Sequence, residues 1–178
     1  MDVLAPALAA ALHELDVLDP RQRPLLAAHW VAQGLGGPVL SQLAGLHGDE
    51  REVADLWPPA LQELGVDAHL VRTRRTALPW VMSQLKTGER DLPWVLHVLW
   101  PTRADTDEDD DLDSIVYSID TALDYIGALQ ERSDVRRRTH RGPHRDQEVV
   151  ADLRARVAGA VEALERCDID AAAAALDA

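Results

Sequence analysis

The chain has 178 residues, a formal net charge of −13, and apolar side chains at 47% of its positions. A chain of this length buries roughly 70% of its unfolded surface, so it can fold without a disulfide or a structural metal. Its single cysteine, Cys167, excludes a disulfide framework and a cysteine-based zinc site. The excess of carboxylates disfavours nonspecific binding to nucleic acid and docking on anionic lipid.

The amino-terminal segment is rich in alanine and leucine, but it lacks the features of a secretory signal. No basic segment leads into its apolar residues, and acidic side chains interrupt them at Asp2, Glu14, Asp16 and Asp19. No apolar run along the chain reaches the roughly 18 residues that a membrane-spanning helix requires. We therefore expect a cytoplasmic protein with no membrane partner, folded as one domain over residues 1–178.

Helix-starting and helix-stopping residues divide the first hundred residues into short helices. Asp19 followed by Pro20 matches a helix N-cap and a first-turn proline, and this helix is expected to end near Gly34. Pro38 then starts a short apolar helix that Gly48 stops. The pattern predicts two helices separated by a glycine-rich turn.

The next predicted helix begins at a capping box in its aspartate form, Asp49 with Glu52. Apolar residues then recur at the helical period as far as Gly65, the residue expected just after the helix. Pro58-Pro59 lies inside this stretch, and proline removes a backbone donor and clashes with the preceding turn. We therefore expect a kink or two separate helices at these prolines.

A short internal repeat follows a segment, 66–75, that we predict to be a loop. Residues 78–85 and 92–99 both begin with Leu-Pro-Trp-Val and place a leucine at the end. Two short helices joined by a turn would put Trp80 and Trp94 in equivalent positions. Both rings are expected to be core anchors, and an exposed aromatic pair that binds a ligand is the alternative.

The two longest apolar stripes lie in the last third of the chain. The stripe over 112–131 predicts one long helix, and the stripe over 147–166 predicts a second. The arginine-rich segment 132–145 between them is expected to be a flexible connector, long enough for the helices to pack antiparallel. Asp168 is expected to cap a last, alanine-rich helix over 169–177.

Together these patterns predict an all-α fold, a multi-helix bundle of about seven to eight helices with two long antiparallel C-terminal helices. An alternative to a single domain divides the chain into a short-helix subdomain at 1–100 and an acidic loop plus a helical hairpin at 101–178.

The acidic run before the first long helix is a candidate calcium site. Asp105, Asp107 and Asp109 match positions 1, 3 and 5 of an EF-hand loop. Position 6 is Asp110 where the loop needs glycine, and position 12 is Val116, which cannot bind a cation. The three aspartates are therefore a weak metal candidate, and a solvated acidic segment is the favoured interpretation.

The segment 132–145 carries a dense group of arginines that suits a phosphate or an acidic partner. No aromatic residue lies between these arginines to stack a nucleic-acid base. The two oppositely charged segments supply the candidate interaction residues, which are Arg136, Arg137, Arg138, Arg141, Asp109, Asp110 and Asp111.

Residues 38–64 have the outline of a helix-turn-helix, in which the second helix would read DNA. That helix opens with carboxylates at Asp49, Glu50 and Glu52, which DNA phosphates repel. DNA binding through this segment therefore remains an alternative and not the favoured interpretation.

No sequence signature of an enzyme is present. The chain contains no P-loop, dinucleotide-binding glycine motif, nucleophile elbow, zinc-protease motif or Cys-x-x-Cys pair. His140 and His144 have the spacing of helical metal ligands, but Gly142-Pro143 breaks a helix between them. Other histidines lie in or beside apolar stretches and are expected to be packing residues, namely His13, His29, His69 and His97.

The segment from His29-Trp30-Val31-Ala32-Gln33-Gly34, through the glycine-proline turn at 37–38, to Leu64-Gly65 resembles small, uncharacterised helical proteins of actinobacteria. The resemblance implies an all-α fold and a cytoplasmic location. It implies no activity and no site residue.

The sequence thus favours a protein–protein interaction module without catalytic activity, such as an acidic adaptor, regulator or immunity-type protein. Nucleic-acid binding through residues 38–64 or 132–145 is the first alternative, and an enzyme with a noncanonical site is the second. The expected partner is another protein, with a homodimer as a further option, and no cofactor is expected.

Overall fold

The computed structural model describes residues 4–66, 73–100, 110–138 and 144–177. Within these ranges every regular element is a helix, which confirms the all-α class that the sequence predicts. Nine α-helices and one 3-10 turn are present in this part of the chain. None of these helices combines the length and the apolar composition that crossing a bilayer requires.

The chain forms two compact units, Met1–Ala77 and Leu78–Ala178, which divide inside the fifth helix. The sequence-based alternative placed such a division at residue 100. The first unit contains α1 (Pro6–Glu14), α2 (Arg23–Ala32), α3 (Pro38–Ala44) and α4 (Arg51–Glu63). The dividing helix is α5 (Thr73–Lys86), followed by α6 (Leu92–Leu99), α7 (Asp110–Arg138), α8 (His144–Glu165) and α9 (Ile169–Asp177).

Asp19 caps the turn before α2, although the α-helix itself starts later than predicted. Its Oδ1 atom accepts a hydrogen bond from the Arg21 backbone N–H at 2.9 Å. Pro20–Gln22 forms the 3-10 turn, and α2 begins only at Arg23. After α2, Gly34 has a φ of +79°, the left-handed conformation that ends a helix, as the sequence predicts.

The start of α4 differs from the prediction. Its N-cap is Glu50, and the capping box expected between Asp49 and Glu52 is wrong. The Glu50 carboxylate turns back and accepts hydrogen bonds from the backbone N–H groups of His47 and Gly48, at 2.8 Å for the latter. These bonds fix the turn between α3 and α4. The longer glutamate side chain reaches the two backbone N–H groups, which the shorter Asp49 side chain would leave unpaired.

α4 is also continuous through Pro58 and Pro59, so the expectation of two separate helices is wrong, while a kink stays a prediction. The prolines deprive the carbonyl groups of Ala54 and Asp55 of their helical donors. Both of those residues are exposed, so water can satisfy the two carbonyls and the helix continues.

A single carboxylate, Glu63 at the end of α4, holds the start of α3. Its oxygens accept hydrogen bonds from the backbone N–H groups of Gly37, Val39 and Leu40, at 3.0, 3.1 and 2.9 Å. The first N–H groups of a helix have no partner within the helix, and Glu63 supplies one. The bond from Leu40, with those from Val39 and Gly37, holds the pKa of Glu63 below its usual value.

Two tryptophans form the centre of the first unit. The rings of Trp30 in α2 and Trp57 in α4 are both fully buried, and their centroids lie 6.0 Å apart. The Trp30 Nε1 group donates to the Leu4 carbonyl at 3.0 Å, which ties the segment before α1 to α2. Only 4% of the chain is aromatic, so these two rings supply much of the bulk in this core.

An antiparallel hairpin of α7 and α8 forms the framework of the second unit. Ile126 and Leu129, in the second half of α7, cluster with Val150 near the start of α8, and Leu153 packs against them. Contact between the later part of one helix and the early part of the next requires opposite directions. The predicted pair of long antiparallel helices is therefore present.

The last helix, α9, packs against both α7 and α8. Asp168 Oδ1 accepts a hydrogen bond from the Ala171 backbone N–H at 3.0 Å, so it caps this helix as predicted. A Cβ added to Gly159 of α8 would lie 3.4 Å from the Ala175 Cβ of α9. Small residues thus let these two helices approach closely.

Two predicted loops are partly helical. α7 continues to Arg138 and α8 starts at His144, so the connector predicted over 132–145 is helical at both ends and the prediction is wrong there. α5 likewise includes residues 73–75 of the loop predicted over 66–75. Arginine favours helices, and a helical turn rich in arginine has no apolar stripe that would reveal it. Val66 is not helical, as predicted, and residues 67–72 and 139–143 lie outside the described residues.

Trp57→Ala is expected to lower the free energy of unfolding by about 3–5 kcal/mol, because it leaves a cavity where a buried ring was. The matched control is Trp100→Ala, which truncates the same side chain at a position that is 38% exposed. Urea unfolding followed by circular dichroism measures both, and the control should stay within about 1 kcal/mol of the unaltered protein. Equal losses in the two variants would contradict the central position of Trp57.

Candidate functional site

The structure covers only part of the charged residues that the sequence singles out. Those outside the described residues are Asp105, Asp107, Asp109 and Arg141. Those within α7 are Asp110 and Asp111 in its first turn, and Arg136, Arg137 and Arg138 in its last turn. A helix of 29 residues separates these two groups by about 40 Å, so α7 does not bring them together.

No cation site is visible in the part of the chain that the structure describes. No three histidine, cysteine, aspartate or glutamate side chains there are placed to hold a metal ion. The calcium candidate at Asp105, Asp107 and Asp109 lies outside that part and stays a sequence prediction.

The segment 38–64 does form two packed helices, α3 and α4, joined by a turn. In the DNA-binding form of this motif the second helix faces the phosphates and bases. Here the first turns of α4 expose Glu52 and Asp55 beside Arg51. The carboxylates would be repelled by phosphate, so the geometry does not favour this helix as a DNA reader.

Three aromatic side chains lie exposed on the second unit, and we call Trp100, Tyr117 and Tyr125 the aromatic face. Their exposed fractions are 38%, 61% and 50%. The ring centroids of Trp100, just after α6, and Tyr117, on α7, are 6.3 Å apart. Tyr125 follows Tyr117 by eight residues, or about 12 Å along the helix axis.

The register of α7 explains why these tyrosines point outward. Its buried apolar positions are Leu112, Ile115, Val116, Ile119, Ile126 and Leu129. Tyr117 and Tyr125 fall outside this stripe, on the solvent side of the helix. Large exposed aromatic rings that are not needed for the core are typical of protein-binding surfaces.

The surroundings of the aromatic face are acidic. The side chains of α7 are described over 111–133, and the carboxylates there are Asp111, Asp113, Asp120, Asp124 and Glu131, against one base, Arg132. Asp124 is exposed and is the direct neighbour of Tyr125. The face therefore combines rings with negative charge, and it complements a basic surface with an apolar centre.

A second aromatic pair joins α5 to α6, at the positions that the internal repeat predicts. The rings of Trp80 and Trp94 lie 6.4 Å apart with an angle of 61° between their planes. The guanidinium carbon of Arg90 lies 5.0 Å from the centre of the Trp94 ring, within range of a cation–π interaction. Both tryptophans are half-buried, so they are intermediate between the core anchors and the exposed pair considered from the sequence.

An open apolar groove with a volume of about 380 Å³ lies beside α7 and α8 in the second unit. Its lining consists of Leu85, Leu92, Leu123, Ile126, Arg154, Val157, Ala158, Val161 and Glu165. Ile126 follows Tyr117 by nine residues, which is two and a half helical turns. The groove therefore lies on the side of α7 opposite Tyr117, and no residue of the aromatic face lines it.

A polar cluster lies inside the first unit, against Trp57. Arg23 is only 7% exposed, and its Nη2 group donates to the His13 Nδ1 atom at 2.8 Å. The guanidinium carbon lies 5.5 Å from the Trp57 ring centre, and the His13 ring meets the same indole edge-on at 6.0 Å. The Arg23 Nε and Trp57 Nε1 groups have no hydrogen-bond partner among the residues described.

This cluster stabilises the fold and leaves no free base for catalysis. Burial lowers the pKa of His13, and the charge of Arg23 lowers it further, against the opposing effect of the Glu14 and Asp16 carboxylates. A guanidinium group can only donate hydrogen bonds, so His13 Nδ1 accepts and the proton of the neutral ring is on Nε2. The histidine is thus engaged with Arg23, in agreement with its prediction as a packing residue.

Compared with known protein families, curated proteins and solved structures, the chain has no match. A functional assignment therefore depends on the surfaces of the chain itself. The sequence reasoning missed Trp100, Tyr117 and Tyr125. The available signal was the register of the apolar stripe over 112–129, which leaves both tyrosines outside it.

The first unit is expected to lose stability as the pH falls below about 6.5, the ordinary pKa of an unfolded histidine. Because the pKa of folded His13 is lower, the unfolded chain binds the proton first, and stability declines until the pH passes the folded pKa. His13→Gln keeps an acceptor for Arg23 and removes this titration. Thermal unfolding between about pH 5 and pH 8 should therefore depend less on pH in the variant.

The matched control for this experiment is His29→Gln, which changes an exposed histidine of the same unit. It should keep the part of the acid response that comes from His13, because it leaves the contact of His13 with Arg23 in place. An unchanged pH dependence in His13→Gln would show that the pair with Arg23 does not govern the acid response.

Proposed function

We propose that the protein is a protein–protein interaction module without catalytic activity, and that it binds a basic partner protein through the aromatic face. The observation that carries this proposal is the exposure of Trp100, Tyr117 and Tyr125 on one side of the α6–α7 region. An acidic adaptor or regulator in the cytoplasm, or an immunity-type protein that masks a basic surface, fits these properties.

Two physical effects support the proposal. Tyrosine and tryptophan rings bury a large area at a small cost in side-chain entropy, so they dominate the binding energy of many interfaces. The carboxylates along α7 would attract a basic partner from solution and raise the association rate. The rings then supply affinity, and the charges supply the preference for a basic surface.

The alternatives have weaker support. Nucleic acid would meet carboxylates both on α4 and along α7, and phosphate is repelled by both. The polar cluster of Arg23 and His13 is the most enzyme-like group of the described residues, but it is enclosed against Trp57 and is engaged internally. Neither observation favours a catalytic or nucleic-acid-binding role over a protein partner.

The test immobilises the protein, passes an extract of the producing cells over it, and measures how much of the partner protein is recovered. Tyr117→Ala combined with Tyr125→Ala should lower the recovery of one stoichiometric protein at least about tenfold, because each ring is expected to contribute more than about 1 kcal/mol. Raising the salt concentration to about 0.5 M should also lower this recovery, since salt screens the charges that attract the partner protein. Nuclease treatment should have no effect.

Leu25→Ala is the matched control, because Leu25 is a large apolar residue that is 68% exposed on the other unit. Recovery should be unchanged in this variant, and circular dichroism should show that all variants keep their helices. Equal recovery by the tyrosine variant, or recovery that depends on nucleic acid, would contradict the proposal.

A further inference from the structure

The exposed rim of the groove on α8 has the residue spacing of a helix-pairing stripe. Four of the lining residues, Arg154, Ala158, Val161 and Glu165, follow one another at intervals of four, three and four. This is the spacing of core positions in a coiled coil. The stripe has a positive charge at one end, a negative charge at the other, and small apolar side chains between them.

The two charged ends have no partner within the described part of the chain. Elsewhere on α8, Arg156 pairs with Asp152 at 3.0 Å, and Glu162 pairs at 2.8 Å with Arg166, the residue after the helix. Arg154 and Glu165 have only apolar or like-charged residues three and four positions away on the helix, so no ion pair of this kind is open to them. They lie eleven residues apart, which is about 16 Å along the axis.

Two copies of this stripe complement each other when they run in opposite directions. If two copies of α8 lie antiparallel with Ala158 opposite Val161 of the partner subunit, then Arg154 lies opposite Glu165 of the partner subunit, and the reverse pair forms as well. A parallel arrangement would instead oppose like charges at both ends. Two-fold symmetry produces this reciprocal pattern, in which one patch serves both subunits.

We propose that the groove rim is a self-association surface, and that its occupant is α8 of a second copy of this chain in antiparallel orientation. The small Ala158 side chain lets the two helix axes approach, Val161 of each chain packs over the apolar groove, and two intersubunit ion pairs set the register. The proposal is independent of the aromatic face, because none of Trp100, Tyr117 and Tyr125 lines the groove.

Sedimentation equilibrium at about 0.15 M salt tests the proposal, since long-range repulsion between the acidic chains is screened there. The unaltered protein should be a dimer. Arg154→Glu alone, or Glu165→Arg alone, places like charges opposite each other at both ends, and each should weaken the dimer at least about tenfold. The double variant R154E/E165R should restore the dimer to near the affinity of the unaltered protein.

The sharpest test is to mix the two single variants. Each single variant should be mainly monomeric, yet an equimolar mixture of R154E and E165R should form a heterodimer. The two introduced charges then lie opposite each other with opposite signs, and the unaltered Arg154 and Glu165 pair at the other end. Within one chain the two positions are too far apart to compensate each other, so recovery on mixing reports contact between chains. A misfolded variant would not regain pairing on mixing.

Arg166→Glu is the matched control, because it reverses a charge directly after the end of α8, outside the stripe, and should leave the dimer unchanged. A monomeric unaltered protein at about 0.1 mM, single variants that dimerise normally, or a mixture that stays monomeric would each overturn the proposal. The chain could also be a monomer that loses recovery of its partner protein when Ala158→Glu is introduced, but not when Ala155→Glu is. That result would assign the groove to a foreign protein and would equally overturn the proposal. None of these results affects the recovery experiment on the tyrosines.

Discussion

The packing of α7 on α8 is the constraint on which the surfaces of the second unit depend. Ile126 and Leu129 bury their side chains with Val150, and this contact fixes which side of α7 faces inward. Once that side is fixed, the helical period places Tyr117 on the outer side and Leu123 at the groove. The rings are thus held on a rigid helix, and a surface that is ordered before binding loses less entropy when it binds.

Charge has different roles in the two units. In the first unit, two charged side chains bind groups of the same unit: Glu63 holds the start of α3, and Arg23 lies against Trp57 with His13 as acceptor. In the second unit, carboxylates such as Asp124 remain in solvent beside the rings. Enclosed charges stabilise a fold, whereas exposed charges act on molecules that approach it. We propose the binding surface on the second unit because exposed charges there lie beside exposed rings.

The sequence predicts helices where apolar side chains recur, and it is less informative about where helices end and what they expose. The stripes of α7 and α8 predict both helices, but the arginines up to Arg138 contain no apolar period that would mark the continuation of α7. Pro58-Pro59 predicts a break only if the freed carbonyls are buried, and they are exposed. The contact of Arg23 with His13 spans ten positions and forms through tertiary packing, which a local pattern does not report. The aromatic face becomes visible only when the buried side of α7 is known.

Backbone hydrogen exchange of the unaltered protein tests most directly whether α7 is a rigid platform for Tyr117 and its neighbours. If the packing of α7 on α8 governs the second unit, amides over 115–129 and 150–164 should be the slowest in these helices. They should also share one free energy of opening, because they exchange only when the hairpin unfolds. Fast exchange over 115–129 beside a protected α8 would contradict this, since a helix that opens by itself cannot hold its rings on a fixed side.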